Sequence, residues 1–222
     1  MKKFELTTES ITNVAGKKLF RIKALIDFED VKAGELGGYV EKEGNVSQDG
    51  NAWVSGNAKV FGDARISGNA RISGDAWISD NAKVFDDARV SGNAWVFGNA
   101  WVSGNAWISG DARISGNAWI FGNAKVSGDA EVSGNAKVSD DAEVFDDADY
   151  ALVQGFGTEF RCTTFYRGKN KKIMVNCGCF HGDLEEFRKQ VKETRNGKIA
   201  KEYLMIADLM EYHFTGEGSD DE

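Results

Sequence analysis

A six-residue period runs without interruption through the middle of this 222-residue chain. Alanine occupies every sixth position from Ala52 to Ala148, and valine or isoleucine every sixth position from Val54 to Val144. Degraded copies extend the period back to residue 36, which gives 19 hexads over 114 residues. A period kept over this length indicates a repeat architecture in which each unit packs mainly against its neighbours.

Each hexad predicts one short strand followed by one corner. Alanine and the aliphatic residue alternate with outward-facing residues, as in a strand with one buried face. Gly or Asp followed by Asn or Asp then supplies residues that tolerate left-handed backbone and close tight turns. Three strands per coil need 18 residues, so the repeat predicts a parallel β-solenoid of about six coils and roughly 30 Å.

The hexads resemble the repeats of the hexapeptide-repeat superfamily, as in VSGNAK at 54, VFGDAR at 60 and ISGNAR at 66. Residues 24–40 and 47–53 are also similar to the start of YdcK-type hexapeptide proteins, which phages and prophages often carry. The resemblance implies a left-handed, triangular helix, and many members of the superfamily are trimeric acyltransferases. We therefore expect a mainly β fold, a single-stranded left-handed parallel β-helix with 18 residues per coil, followed by a small α+β C-terminal domain.

Four segments are predicted along the chain. Residues 1–35 form an N-terminal β cap, with strands at 3–8 and 18–25, because an open solenoid end invites aggregation. Residues 36–149 form the β-helix. Residues 150–214 form a ββαα domain with strands at 160–166 and 173–180, a helix opened by the capping box of Asp183 and Glu186, and a second helix near 199–212. Residues 215–222 form an acidic, disordered tail.

Charge and composition favour some classes of function over others. The whole net charge of −8 lies in residues 36–149, and residues 126–149 hold eight acids against Lys137 alone. Such a field repels phosphates, so nucleic acid is not expected as a partner, although an acidic rod that imitates DNA stays open. Neither a membrane-length apolar run nor a signal-peptide core is apparent, so we expect a cytoplasmic protein without membrane contact.

Aromatic side chains occupy outward positions, which a lone solenoid should keep polar. On an 18-residue coil, one face gathers Phe61, Trp77, Trp95 and Phe97, and the next gathers Phe85, Trp101, Trp119 and Phe121. The predicted interaction surface is Trp53, Phe61, Trp77, Phe85, Trp95, Phe97, Trp101, Trp107, Trp119 and Phe121. A homo-oligomer, with a trimer favoured, is the first hypothesis, and cover by the terminal domains or by a dedicated target are the alternatives.

Catalysis is not the favoured interpretation. Hexapeptide acyltransferases generally use a histidine as general base, often beside projecting loops, whereas the only histidines here are His181 and His213, outside the repeat. We therefore assign no catalytic residues and no cofactor. The favoured function is a non-enzymatic, self-associating scaffold or binding protein, and the resemblance suggests a phage or prophage accessory protein that binds a host factor. The alternative is an acyltransferase that uses a coenzyme A-linked acyl donor.

The three cysteines leave several interpretations open. Cys177, Cys179 and His181 alternate along a predicted strand, and a turn at 168–171 would place Cys162 opposite Cys177. Three thiols and an imidazole could ligate Zn²⁺, but this spacing is not a strong zinc pattern and free cysteine is commonly a small buried apolar residue. Metal binding, buried thiols and a redox role all remain open, and no metal ligand is assigned.

Overall fold

The structure is a computed structural model that describes residues 1–157 and 160–216. It contains a parallel β-solenoid, an N-terminal group of strands and a C-terminal region of four strands and two helices. The predicted disordered tail at 215–222 falls largely outside the described residues. Among the described residues, neither helix combines the length and apolar character needed to cross a bilayer.

The solenoid strands are two residues long and recur every six residues from Trp53 to Val144. They are β4 Trp53–Val54, β5 Lys59–Val60, β6 Arg65–Ile66, β7 Arg71–Ile72, β8 Trp77–Ile78, β9 Lys83–Val84, β10 Arg89–Val90, β11 Trp95–Val96, β12 Trp101–Val102, β13 Trp107–Ile108, β14 Arg113–Ile114, β15 Trp119–Ile120, β16 Lys125–Val126, β17 Glu131–Val132, β18 Lys137–Val138 and β19 Glu143–Val144.

The strands stack into three parallel faces. Face 1 contains β5, β8, β11, β14 and β17, face 2 contains β6, β9, β12, β15 and β18, and face 3 contains β4, β7, β10, β13, β16 and β19. Each strand from β4 to β16 pairs with the strand 18 residues further on, as in Trp77 with Trp95 and Ile78 with Val96. The predicted coil of three hexads is confirmed.

The aliphatic ladder lies inside the solenoid, as the period predicts. The alanines from Ala52 to Ala142 and the valines and isoleucines from Val54 to Val144 have at most 1% of their surface exposed. Burial of each aliphatic side chain contributes roughly 1.5–3 kcal/mol, so the interior is the main source of stability. Ala148, the last alanine of the period, is exposed because the coil has ended and the chain turns at Asp147–Asp149.

Glycine at the corners is required by backbone conformation and by contact with the next coil. Gly110 has a φ of 66°, and a Cβ there would lie 2.8 Å from the backbone nitrogen of Gly128. Asp80 takes the equivalent place at a φ of 56°. Its carboxylate accepts a hydrogen bond from the backbone N–H of Gly98 at 3.1 Å, which ties its corner to the following coil.

The N-terminal strands continue face 1 beyond the first complete coil. They are β1 Phe4–Thr12, β2 Lys18–Ala24 and β3 Leu36–Val40, followed by a 3₁₀ turn at Glu43–Asn45. Strands β1 and β2 are antiparallel, and β3 joins them to β5. Lys3 lies beneath this end of the solenoid, where its ammonium donates to the carbonyls of Gly50 and Ala52. Burial, with a smaller contribution from nearby Arg71, lowers the pKa of Lys3 to about 8.

The first hexads depart from the 18-residue register. Val40 pairs with Val60 and Val46 with Ile66, a separation of 20 residues, whereas Trp53 pairs with Arg71. The prediction that the hexads at 36 and 42 continue the regular register is wrong. Val40 and Val46 occupy the hexad position of the alanines, but they pair with Val60 and Ile66, which occupy the position of the valines and isoleucines. The reason is that the chain between Val46 and β4 is two residues longer than the repeat requires.

The C-terminal region has two more strands than the predicted ββαα arrangement. It consists of β20 Tyr150–Phe156, β21 Arg161–Arg167, β22 Ile173–Cys177 and β23 Phe180–Asp183 in one antiparallel sheet, then α1 Leu184–Thr194 and α2 Gly197–Thr215, with a turn at Lys169–Lys171. The expected strand at 173–180 divides because Gly178, with a φ of 63°, reverses the chain. The predicted capping box of Asp183 and Glu186 is present at the start of α1.

Candidate functional site

The first aromatic column lies on face 1. The indoles of Trp77 and Trp95 stack with centroids 5.3 Å apart and an interplanar angle of 10°, and the ring of Phe61 meets Trp77 edge-on at 6.0 Å. The ammonium of Lys59 lies 5.2 Å from the Trp77 centroid, and the guanidinium of Arg113 lies 5.7 Å from that of Trp95. The stack therefore has a cation at each end.

Face 2 carries a second column, in which the two indoles meet edge-on at an interplanar angle of 64° instead of stacking. Trp101 and Trp119 are 5.3 Å apart, Phe85 meets Trp101 at 6.0 Å, and Phe121 meets Trp119 at 6.0 Å. Lys83 lies 4.5 Å from the Trp101 centroid and Lys137 lies 5.6 Å from that of Trp119. We refer to the face-1 rings (Phe61, Trp77 and Trp95) and the face-2 rings (Phe85, Trp101, Trp119 and Phe121) as the two aromatic columns.

The columns leave substantial aromatic surface in solvent. Trp95 is 42% exposed and Trp119 is 39% exposed, while Trp77 and Trp101 are half-buried between their neighbours. Ring pairs and cation–π contacts at the surface each contribute roughly 0.5–1.5 kcal/mol, so the columns hold their own shape without a partner. They present partly exposed indoles along the solenoid axis, which suits contact with another surface lying parallel to that axis.

The remaining predicted surface residues are distributed unequally. Phe97 lies on face 1 and is half-buried. Trp107 lies on face 3, between Arg89 and Lys125 in the pairing of β13 with its neighbours, and is 50% exposed. Its indole N–H donates to the Ser91 hydroxyl at 3.4 Å. Trp107 is thus exposed as predicted but is not part of either column.

Trp53 does not belong to an exposed surface. It is only 2% exposed, because the N-terminal segment packs over this corner of face 3. The rings of Phe28 and Phe4 meet its indole at 5.5 Å and 6.3 Å. Glu29 and Asp30 in the same segment form ion pairs with Arg71, the residue paired with Trp53. The expected exposure of Trp53 is therefore wrong.

A polar cluster, buried at Ser139, Tyr166 and Asn176 and open to solvent at its other two members, joins the C-terminal sheet to the last coil. The Tyr166 hydroxyl lies 3.0 Å from the Ser139 hydroxyl and 3.2 Å from Nε2 of His181, which is in turn 2.7 Å from an Asp140 carboxylate oxygen. Asn176 donates to the carbonyl of Lys137 at 2.9 Å and to the Ser139 hydroxyl at 3.2 Å. We name these residues, Ser139, Asp140, Tyr166, Asn176 and His181, the docking cluster.

The docking cluster contains serine, histidine and aspartate without the geometry of a nucleophilic site. Ser139 is 1% exposed, and its hydroxyl donates to Asp140 rather than to the imidazole. Nε2 of His181 faces both Asp140 and Tyr166, so the imidazole is already engaged at that nitrogen. His213, the other histidine, is exposed on α2 with its ring against Phe214. The cluster is suited to holding the C-terminal region on the solenoid.

Ionisation of Tyr166 should weaken this attachment at alkaline pH. Burial raises the pKa of Tyr166 to about 12, above the value of about 10 expected for an unfolded tyrosine. The folded state holds the phenolic proton more tightly, so its contribution is complete below about pH 10 and is lost as the pH rises toward about 12. The difference in free energy of unfolding between the wild type and Tyr166→Phe, measured with denaturant, should therefore shrink by roughly 2–3 kcal/mol over this interval. A stability difference that is constant with pH would contradict the assignment.

The cysteines do not have the arrangement that the zinc interpretation requires. The register pairs Cys177 with Thr163 rather than with Cys162, and His181 pairs with Asn176 on the other side of the turn. Cys177, Cys179 and His181 therefore do not alternate on one strand face. Among residues 1–157 and 160–216, no three His, Cys, Asp or Glu side chains lie close enough together to hold a metal ion. Cys162 and Cys177 are half-buried and Cys179 is exposed, so the three thiols are not uniformly buried.

Sequence reasoning missed an apolar stripe on α2. Met205, Leu209 and Tyr212 each expose more than half of their surface. Their i, i+4, i+7 spacing places them on one side of the helix, whereas Tyr203, Ile206 and Met210 are buried against the sheet. The spacing could be read from the predicted second helix. However, α2 carries two neighbouring apolar stripes, and only the packing of the helix on the sheet shows which stripe is buried and which is exposed.

The comparison with known families agrees with the repeat. Two stretches, residues 64–80 and 88–104, match the YdcK β-solenoid repeat. These segments therefore carry that repeat, and the resemblance noted in the hexads is confirmed for them. None of the curated proteins compared with the chain matches it. The chain is thus a β-solenoid repeat protein of about six coils with a C-terminal α/β region.

Proposed function

We propose that this β-solenoid protein is a non-enzymatic, self-associating scaffold. The observation that carries the proposal is the pair of aromatic columns, which expose indoles on two neighbouring faces of a rigid body. Tryptophan is the residue most enriched in the energetic centres of interfaces. Exposed apolar patches of this kind mark contact surfaces in soluble proteins.

Two columns on different faces favour a ring over a simple pair. A copy that uses face 1 toward one neighbour and face 2 toward another makes heterologous contacts, which close into a ring when the rotation permits. A homotrimer is our proposal for that ring. The strands at the N-terminal end and the docked sheet at the C-terminal end cover the solenoid ends, which favours side-by-side assembly over end-to-end stacking.

The scaffold would also present the C-terminal region to a partner protein. The stripe of Met205, Leu209 and Tyr212 offers that partner an apolar helix surface. The resemblance to phage-borne proteins favours an accessory role in which the partner is a host factor. Nucleic acid is not proposed, because acids dominate the last coils of the repeat. Cytoplasmic location is part of the same proposal.

Sedimentation equilibrium of the full chain tests self-association. We expect a mass near three times the chain mass of 24.3 kDa, stable on dilution. A single 24.3 kDa species at all concentrations would contradict the proposal, because the aromatic columns would then not be bound to a second copy of the chain.

An acyltransferase is the second candidate, favoured by the occurrence of acyl transfer among hexapeptide-repeat proteins and by His213, which is exposed on α2. Such an enzyme would have to use His181 or His213 beside a neighbouring copy. Titration with coenzyme A separates the candidates. Saturable binding at micromolar concentrations would favour catalysis, whereas a stable oligomer without coenzyme A binding would favour the scaffold.

A further inference from the structure

A small cleft in the C-terminal region brings together thiols, guanidinium groups and aromatic rings. Its volume is about 90 Å³, and it lies where the turn between β22 and β23 faces α1 and the first half of α2. Neither aromatic column nor any member of the docking cluster lines it. The cleft is therefore a separate feature from the proposed assembly surfaces.

Two of its residues are thiols that flank one glycine. Gly178 adopts a left-handed φ of 63°, which reverses the chain between Cys177 and Cys179. Cys179 is exposed, whereas Cys177 is half-buried and lies 3.1 Å from the Thr163 hydroxyl, which donates to it. Cys179 is consequently the more accessible nucleophile at the cleft.

Two arginines supply positive charge beside these thiols. The guanidinium of Arg161 lies over the turn, since a Cβ on Gly178 would come within 2.5 Å of one of its nitrogens. Arg195 lines the opposite side of the same cleft, and its side chain donates to the carbonyl of Thr194. Within the described ranges, neither guanidinium forms an ion pair with a carboxylate, and Arg195 uses one nitrogen for the Thr194 carbonyl, so N–H donors of both remain available to an anion.

The wall between the charges is apolar. Phe180 and Phe187 pack 5.5 Å apart, and Tyr203 meets Phe187 edge-on at 5.9 Å. A ligand that satisfies every side of the cleft has an apolar or aromatic body, a carboxylate for the arginines and a group that reacts with a thiol. Guanidinium groups are well matched to carboxylates because of their planar donors.

We propose that this cleft is a thiol-modification site for small, carboxylate-bearing disulfides. Arg161 and Arg195 hold the carboxylates, and the Cys179 sulfur attacks the nearer sulfur of the disulfide as a thiolate, after losing its proton to water. A new bond joins Cys179 to that sulfur as the disulfide bond breaks. The electron pair leaves with the second sulfur, which takes up a proton and departs as a free thiol.

The test compares an anionic and a neutral aromatic disulfide on the full-length chain. Dithiobis(nitrobenzoate) carries two carboxylates, dithiodipyridine carries none, and each releases a coloured thiol. In a Cys162→Ser/Cys177→Ser background, only Cys179 can react. We expect Arg161→Gln/Arg195→Gln to slow the anionic reagent by about tenfold at low salt, while the rate with the neutral reagent is retained.

A charge-matched control distinguishes the effect of the two cleft arginines on the reaction rate from the effect of the protein's overall charge. Lys198→Gln/Lys201→Gln removes two positive charges from the exposed face of α2, and we expect it to leave the rates of both reagents unchanged. Equal loss in the two double variants would overturn the proposal, as would an anionic rate that is insensitive to Arg161 and Arg195. In the wild type, mass spectrometry should find Cys179 modified first, and earlier modification of Cys162 would also overturn it. Burial raises the pKa of the Cys162 thiol, which opposes that outcome.

Discussion

Ile78→Asp is expected to unfold several coils of the solenoid. Ile78 is completely buried, and it stacks between Val60 and Val96 on face 1. A carboxylate there loses its hydration and finds no partner among aliphatic side chains, at a cost on the order of 5 kcal/mol. Because each coil is held mainly by its two neighbours, the damage spreads along the stack. Thermal unfolding followed by circular dichroism should show a melting temperature lower by roughly 10–20 °C.

The matched control places the same side chain outside the stack. Arg65 is exposed and directly precedes Ile66 in β6, so Arg65→Asp adds a carboxylate at an outward position of the repeat. We expect its melting temperature to stay close to that of the wild type. If Ile78→Asp had the same melting temperature as Arg65→Asp, the assignment of the aliphatic ladder to the interior would be wrong.

Trp95→Ser/Trp101→Ser is expected to convert the oligomer into monomers. Each substitution removes an indole from one aromatic column, so both faces of every copy lose their main apolar contact. Two tryptophans at about 2 kcal/mol each weaken association by roughly a thousandfold. Both side chains project from the solenoid surface, so the interior is unchanged and the melting temperature of the monomer should fall little. Light scattering coupled to size exclusion measures the mass directly.

Trp107→Ser is the matched control for this experiment. Trp107 is more exposed than Trp95, but it lies on face 3 and outside both columns. Its loss should leave the oligomer intact. An oligomer that survives the double substitution, or one that dissociates on loss of Trp107 alone, would exclude the two columns as the assembly surfaces.

The columns show how far a candidate site can be predicted from a repeat. Residues 18 apart become neighbours on one face, so the grouping of Trp77 with Trp95 and of Trp101 with Trp119 follows from position alone. The cations that close each column were also readable, because Lys59 and Lys83 hold the same outward position one coil earlier. The stacking angle and the remaining exposure depend on how side chains pack, which position does not determine.

Trp53 marks the limit of that reasoning. Its hexad position is the same as that of the exposed tryptophans, yet Phe4 and Phe28 cover it. The covering residues come from a segment outside the repeat, and no periodic relation links them to Trp53.

The expected placement of the C-terminal cysteines is wrong for a similar reason. One residue of difference in the hairpin register separates Cys162 from Cys177, and a turn at Gly178 removes Cys179 and His181 from a common strand face.

The amino-acid sequence by itself determined the solenoid, its coil length, the residues of its interior and the faces on which the aromatic columns lie. Within a repeat, the contacts recur at one fixed separation, so the local pattern already specifies the neighbours of each residue. Only the tertiary structure decided which outward residues are covered, how the docking cluster attaches the C-terminal sheet, and which thiols meet which arginines. Those contacts join segments with no common period, and their geometry arises when the separate elements pack together.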